Sequence, residues 1–452
     1  INLSPHKMKF NSIRNASFFS VLLLFSCQTK QQKDDKPISN VVTTDIDLFW
    51  NAYDIIIKET DTVRQERMID SMYLSQGSVG LEKIIEARNY TAQEYVSLIN
   101  RHPKFWSSIR KNTLKSKEIA DEMNVGIQKL KMIYPALKPA KIYFTVGAMR
   151  TNGTTQDSLV LIGSELAMAE KSTDVSEFEG RTKQWLENYI STNPIDKVVL
   201  LNLHEYVHTQ QKAMPNGLLY QVLYEGIAEL VSVKALGVVS STPAVEFGLE
   251  NPLVKQKFEE EMFYEKTYEW MWSNAPNEFD VRDLGYYIGY YIADSFYNQS
   301  ANKSQAINDL IQLDYGNPTV IDAFIDGTNF FSKSIETLRA EDSLKRPKLI
   351  GIQQFENGSN DVNYKTKKIT IRFSEPLSQN HTGVDYGPLG ENTFPKVLAR
   401  TWSEDSTLWT LDVELEPEMK YQIMISNNFR NELGFPLQPY LIDFATSSLN
   451  GL

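Results

Sequence analysis

Between Asp45 and about Leu137 apolar residues recur at spacings of three and four, the period of a helix that buries one face. Leu48, Phe49, Ala52 and Ile55 make one such face. Tyr95, Leu98 and Ile99 make another, opened by Thr91 as an N-cap with Glu94 completing a capping box. Residues 123–134 predict a further helix, stopped by Pro135. The period then shortens. Residues 141–146 and 158–162 are β-rich runs flanking a turn of Asn152, Gly153, Thr154 and Thr155, which predicts a short sheet or hairpin. Residues 165–196 are polar and mixed, and the helical signal resumes near Ile195. Beyond Ala340 a charged link (341–345) and Pro347 lead into β patterns at 349–355, 368–373, 408–413, 421–425 and 441–445. Turns fall at Asn357-Gly358 and at 432–435, and strands at this spacing over about a hundred residues predict a β-sandwich. The expected class is α+β: a mostly helical domain with a small sheet over 45–340, then an all-β domain over 346–452.

Composition narrows the function classes. With 42% hydrophobic and 23% charged residues in 452, the chain has ample side chains to bury more than one core. Its 57 acidic residues against 46 Lys plus Arg leave a net charge of −11, which argues against a nucleic-acid partner. The single cysteine, Cys27, makes neither an internal disulfide nor a cysteine-rich metal site. It follows a basic stretch (Lys7, Lys9, Arg14), an apolar run over 18–25 and Ser26. That run is too short to span a bilayer and has the layout of a secretory signal.

Residues 1–27 resemble a bacterial lipoprotein signal, which implies removal of what precedes Cys27 and lipidation of that cysteine. Met8 is the expected start, with residues 1–7 as upstream read-through; the alternative for Cys27 is a stray thiol in an ordinary signal peptide. Residues 28–44 are polar and read as a flexible tether. Lys33, Asp34 and Asp35 loosely resemble the surface-export signal of Bacteroidetes lipoproteins. The expected location is the bacterial cell envelope, lipid-anchored to the outer membrane and facing the periplasm or the surface.

The strongest chemical pattern is His204-Glu205-Tyr206-Val207-His208, preceded by an apolar run over 198–203. Residues four apart lie about one turn apart on one helical face, so both imidazoles reach the same ion. Glu205 is placed to take a proton from a water activated by that ion, and Zn2+ is the expected metal. A catalytic zinc takes a third protein ligand. Glu225, 17 residues past His208 and beyond a loop of Met214, Pro215, Asn216 and Gly217, supplies it on a return helix. Glu229, one turn later, is placed to accept a hydrogen bond from His204 and fix its tautomer. The flanks Leu223, Ile227, Ala228, Leu230 and Val231 are apolar, so this pair of carboxylates is buried and needs partners.

The motif at His204–His208 followed by Glu225 and Glu229 resembles the gluzincin metallopeptidases, and residues 224–229 resemble the second motif of their aminopeptidases. About residues 45–340 are similar to a family of predicted zinc-dependent proteases of bacterial lipoproteins, which includes relatives of Bacteroidetes gliding-motility lipoproteins. The resemblance implies a gluzincin fold and a secreted zinc metallopeptidase. One departure matters. Aminopeptidases of this clan hold the substrate amine with a glutamate in a Gly-x-Met-Glu-Asn element, where residues 147–151 here carry Arg150. An arginine repels an ammonium group, so an endopeptidase is expected instead. Asn152, Gly153 and Thr154 then either form a strand-like edge for an extended peptide or simply connect two strands.

In metallopeptidases of this kind a tyrosine on a later helix often stabilises the oxyanion. The tyrosine-rich stretch 285–293 is the expected source: Tyr287 and Tyr291 share one face and Tyr286 and Tyr290 another, with Tyr290 or Tyr287 favoured. Arg282 either meets a substrate carboxylate or pairs with Asp283. The distal β domain resembles bacterial Ig-like modules, on residues 373–377 and 443–446. The alternative to an enzyme is a non-catalytic envelope or motility-associated lipoprotein that retains the zinc fold as a scaffold.

Overall fold

The structure, a computed structural model, describes residues 40–263, 268–273 and 277–448. Cys27, the signal and most of the tether lie outside the described residues. The tether ends sooner than its polarity predicts, because Val41 and Val42 form strand β1 (Val41–Val42) and a helix begins at Thr44. Two β-branched residues with a buried strand edge to join suffice for this.

β1 pairs in parallel with β2 (Lys141–Thr145), which pairs in parallel with β4 (Leu159–Gly163). The edge strand β3 (Thr154–Gln156) runs antiparallel to β4, giving the order β1-β2-β4-β3. The short sheet is therefore present, but the hairpin is β3 with β4; the two apolar runs flanking the turn are parallel neighbours. Their continuous burial is the reason, since a strand covered on both faces loses the alternation that marks an antiparallel edge.

Helices pack around this sheet. The first, Thr44–Ile56, buries Ile46, Phe49, Trp50, Tyr53 and Ile56 and leaves Ile55 exposed, so its inward stripe is rotated from the predicted one by its aromatic residues. The Thr91 capping box with Glu94 is formed at Ala92–Arg101. The stretch read as polar and mixed contains a helix, Gly180–Ser191, whose Leu186 and Ile190 are its few buried anchors. The charged link at 341–345 is the last part of a helix, Ile335–Lys345, closed by a buried Asp342–Arg346 ion pair of 2.6 Å.

Beyond it lie β5 (Leu349–Ile352), β6 (Lys368–Phe373), β7 (Val384–Tyr386), β8 (Lys396–Trp402), β9 (Leu408–Glu414), β10 (Lys420–Ile425) and β11 (Tyr440–Ala445). They form antiparallel sheets ordered β5-β6-β9-β8 and β11-β10-β7. Ile369, Trp409 and Leu411 from one sheet and Ile423, Ile442 and Phe444 from the other share a core separate from that of the helical body. β7 and β8 carry little apolar alternation, which kept them out of the sequence pattern. The chain is thus α+β, with two cores. No helix among the described residues is long and apolar enough to cross a membrane.

Candidate metal centre and cleft

Two helices cross at the heart of the first core. The motif helix, Val198–His208, buries His204 and His208; the return helix, Leu218–Leu236, buries Glu225 and Glu229. Gly217, with φ of 139°, makes the turn that starts the return pass. His204 Nε2 lies 2.9 Å from His208 Nε2 and 3.1 Å from Glu225 Oε2, while His208 Nε2 lies 3.4 Å from the same oxygen.

The surrounding groups decide which way the protons point. His204 Nδ1 is 3.2 Å from Glu229 Oε2, and Glu229 Oε1 accepts from Ser240 Oγ and Thr242 Oγ1. A carboxylate only accepts, so Nδ1 of His204 carries a proton. His208 Nδ1 is 2.7 Å from Gln211 Oε1, and Gln211 Nε2 donates to Tyr224 O at 3.0 Å, which fixes the amide and makes Nδ1 the donor here too. Both Nε2 atoms and the Glu225 carboxylate therefore face one point. A proton on His204 Nε2, donated to Glu225, satisfies this cluster; once it is released, three acceptors converge on a buried point that a cation can occupy. A tetrahedral ion with bonds of roughly 2.1 Å separates its ligands by roughly 3.4 Å, close to this triangle. The donor set of two imidazoles and one carboxylate suits zinc.

The same crowding attracts positive charge generally. Burial opposes ionisation of His204, yet Glu225 and Glu229 outweigh it and push its pKa up to about 10. Glu225 is held well below the carboxylate range by His208 and His204 despite its burial. Burial raises Glu205, partly offset by His208, His204 and Arg88.

Glu205 lines a cleft of about 1220 Å³ together with His204, His208 and Glu225. Asn152, Gly153 and Thr154 line it as well. A Cβ on Gly153 would lie 3.1 Å from Asn202 Oδ1 and 3.7 Å from Glu205 Cγ, so the residue just before β3 passes over Glu205. Asn202 was legible only as the one polar residue of an apolar run. Its amide donates to Val198 O, and its Oδ1 is buried without a hydrogen-bond partner. Arg150 pairs with Glu94 and lies over the Tyr90 ring at 4.9 Å. Arg282 pairs with Asp283 at 2.7 Å.

The tyrosine helix, Gly285–Gln299, presents Tyr286, not Tyr287 or Tyr290, to the cleft. Tyr286 Oη donates to Glu225 Oε2 at 2.9 Å. Tyr287 instead packs on Gly248, and Tyr290 meets the Tyr291 ring at 5.2 Å. The first turn of the helix overlies the His204, His208 and Glu225 cluster, so among residues on one face the earliest reaches it. Burial and the Glu225 charge hold the Tyr286 phenol well above its ordinary range, so it remains a donor. The other histidines among the described residues are elsewhere: His102 stacks on Phe178 at 3.8 Å, and His381 accompanies Ser378 in the β domain.

No protein-family model matches the chain, and no curated protein matches it. Among solved structures, the S-layer protein rSbsC(31-844) aligns with 11% identity and a TM-score of 0.17 over 90% of this chain and 45% of that one. The N-terminal part of the bacterial S-layer protein SbsC aligns with 10% identity and a TM-score of 0.17 over 88% of this chain and 68% of that one. Scores this low carry no argument about fold or function.

Proposed function

We propose that the protein is a zinc-dependent metallopeptidase of gluzincin type, an endopeptidase joined to an Ig-like domain and anchored in the bacterial envelope through lipid on Cys27. The observation that carries the reading is the convergence of His204 Nε2, His208 Nε2 and Glu225 Oε2, with both Nδ1–H groups turned outward, beside Glu205 in an open cleft. His204, His208 and Glu225 would hold the ion, and Glu229 and Gln211 orient the two rings. The ion, when bound, supplies Lewis-acid chemistry, acidifying a water and polarising a carbonyl.

The chain's own groups do the rest. Glu205 takes the proton from the attacking water and later delivers it to the leaving amine, a shuttle suited to a carboxyl raised by burial. Tyr286 turns its Oη–H toward the oxyanion that develops at the scissile carbonyl. The free edge of β3, beginning just after Gly153, pairs with an extended substrate backbone and sets the scissile bond over Glu205.

The test incubates residues 37–452 and the Glu205→Gln variant with a mixed peptide library and reads new termini by mass spectrometry. Cleavage by the parent alone, stopped by a chelator, is the expected result. If both proteins bind zinc and neither cuts, the scaffold reading replaces the peptidase.

A further inference from the structure

The cleft walls carry charge of the opposite sign to the chain. Acidic residues outnumber basic ones 57 to 46 overall, yet Arg88, Arg150, Arg181, Lys197 and Arg282 all line the cleft. Its carboxylates are Glu205, Glu225, Glu229 and Asp283, of which Glu225 and Glu229 face the histidines and Asp283 pairs with Arg282. Arg150 is held by Glu94, and Lys197 Nζ donates to Ser241 O at 3.3 Å.

Arg88 and Arg181 have no carboxylate partner among the described residues. Arg88 ends the helix Val79–Arg88, and its hydrogen bond goes to the adjoining Ala87 O at 3.5 Å. The next residue, Asn89, accepts from Arg150 Nη2 at 3.3 Å, which sets Arg88 beside the loop that leads into β3. Its charge reaches Glu205. Arg181 stands in the first turn of Gly180–Ser191, behind the N-cap Glu179, and the helix dipole there disfavours a cation. One turn on, Trp185 stacks on Tyr189 at 5.5 Å along the same wall. Two guanidinium groups without anions, in a cleft beside the base, are a receiving arrangement for carboxylates.

We infer that the cleft takes a substrate segment bearing carboxylate groups, received by Arg88 and Arg181. This rests on the peptidase reading and adds its substrate class. A guanidinium pairs with a carboxylate through two parallel hydrogen bonds, so the contact fixes position as well as charge. The two guanidinium groups without carboxylate partners draw acidic segments in, and the attraction weakens with salt. Acidic side chains and a free C-terminus offer the same group.

The experiment compares peptides of one sequence carrying Glu, Gln or Lys near the cleavage point, each with a free and an amidated C-terminus. Cleavage is read with the full chain in detergent. Binding is read by fluorescence anisotropy with its zinc-loaded Glu205→Gln variant, which reports the preference even where no bond is cut. The Glu peptide is expected to bind and react at least tenfold better than the Gln peptide, with most of the advantage lost at high salt. Arg88→Gln and Arg181→Gln are expected to raise KM for the Glu peptide with kcat held, and Arg88→Lys to restore part of the loss. A preference that follows the free C-terminus instead of the side chain assigns the carboxylate to the chain end. Equal binding of Glu and Gln peptides, whatever their C-terminus, overturns the inference while leaving the peptidase reading intact. Selective binding with no cleavage by the parent overturns the peptidase and leaves the carboxylate site standing.

Discussion

Tyr286 donates its hydrogen bond to Glu225 Oε2, the same oxygen that lies 3.1 Å from His204 Nε2. One carboxylate oxygen thus links the donor set to the tyrosine helix, and the Tyr286 hydroxyl stands within reach of a carbonyl brought up to that set. Tyr286→Phe removes the donor and keeps the ring. The expected loss is on the order of 10² in kcat, the scale of one oxyanion donor, with KM little changed. Tyr287→Phe and Tyr290→Phe should stay near the parent in steady-state peptide hydrolysis. A Tyr290→Phe defect equal to that of Tyr286→Phe would overturn the assignment.

What brings Tyr286 there is a backbone contact. A Cβ on Gly289 would fall 1.7 Å from Val222 O, and one on Gly226 would fall 2.1 Å from Gly289 C. The tyrosine helix and the return helix touch at glycine, and neither backbone yields as a side-chain tip would. Gly289→Ala should cost about 3 kcal/mol or more, as overpacking against rigid atoms does, measured by urea unfolding. A variant with unchanged stability would show that the helices separate freely there.

Much of the candidate metal pocket is legible because helical geometry is local. His204 and His208 follow from spacing alone, and Glu225 and Glu229 from two carboxylates amid apolar neighbours. The strands from β5 onward show where one face alternates, as in β9, whose Trp409, Leu411 and Val413 point inward. Choosing among Tyr286, Tyr287 and Tyr290 depends on how the Gly226–Gly289 contact rotates one helix against another. Arg88 and Arg181 escaped notice for the same reason. They come from elements far apart in sequence, and only the tertiary structure puts them in one cleft.

Glu229 should matter to metal affinity without being a ligand. Its Oε2 fixes the His204 tautomer and its Oε1 is tied to Ser240 and Thr242. Glu229→Gln keeps the size and loses the charge that strengthens the imidazole as a donor. Zinc affinity is expected to fall about 10–100-fold, read by competition with a chromophoric chelator. Gln211→Ala should act likewise through His208. Unchanged affinity in both would mean that the rings are oriented by packing alone.

The last prediction concerns a carboxyl beneath the loop that leads to Arg150. Glu165 is fully buried; its oxygens accept from the backbone N–H of Gly147 at 2.7 Å and of Met149 at 3.0 Å. Burial raises its pKa from 4.5 to about 7, with those hydrogen bonds opposing. Between these values the folded protein keeps a proton that the unfolded chain has released. The contribution of Glu165 to stability is therefore whole below pH 4.5, declines as pH rises, and is gone above about pH 7. That difference corresponds to roughly 3 kcal/mol. Glu165→Gln cannot ionise, although its amide NH2 must face one of the two N–H donors, so the slope and not the absolute stability is the readout. Urea unfolding between pH 5 and 8 should show the parent losing roughly 2–3 kcal/mol more than the variant. Parallel curves would mean that Glu165 is ionised in the folded protein across this range, with the two N–H groups and the loop's dipoles holding its charge.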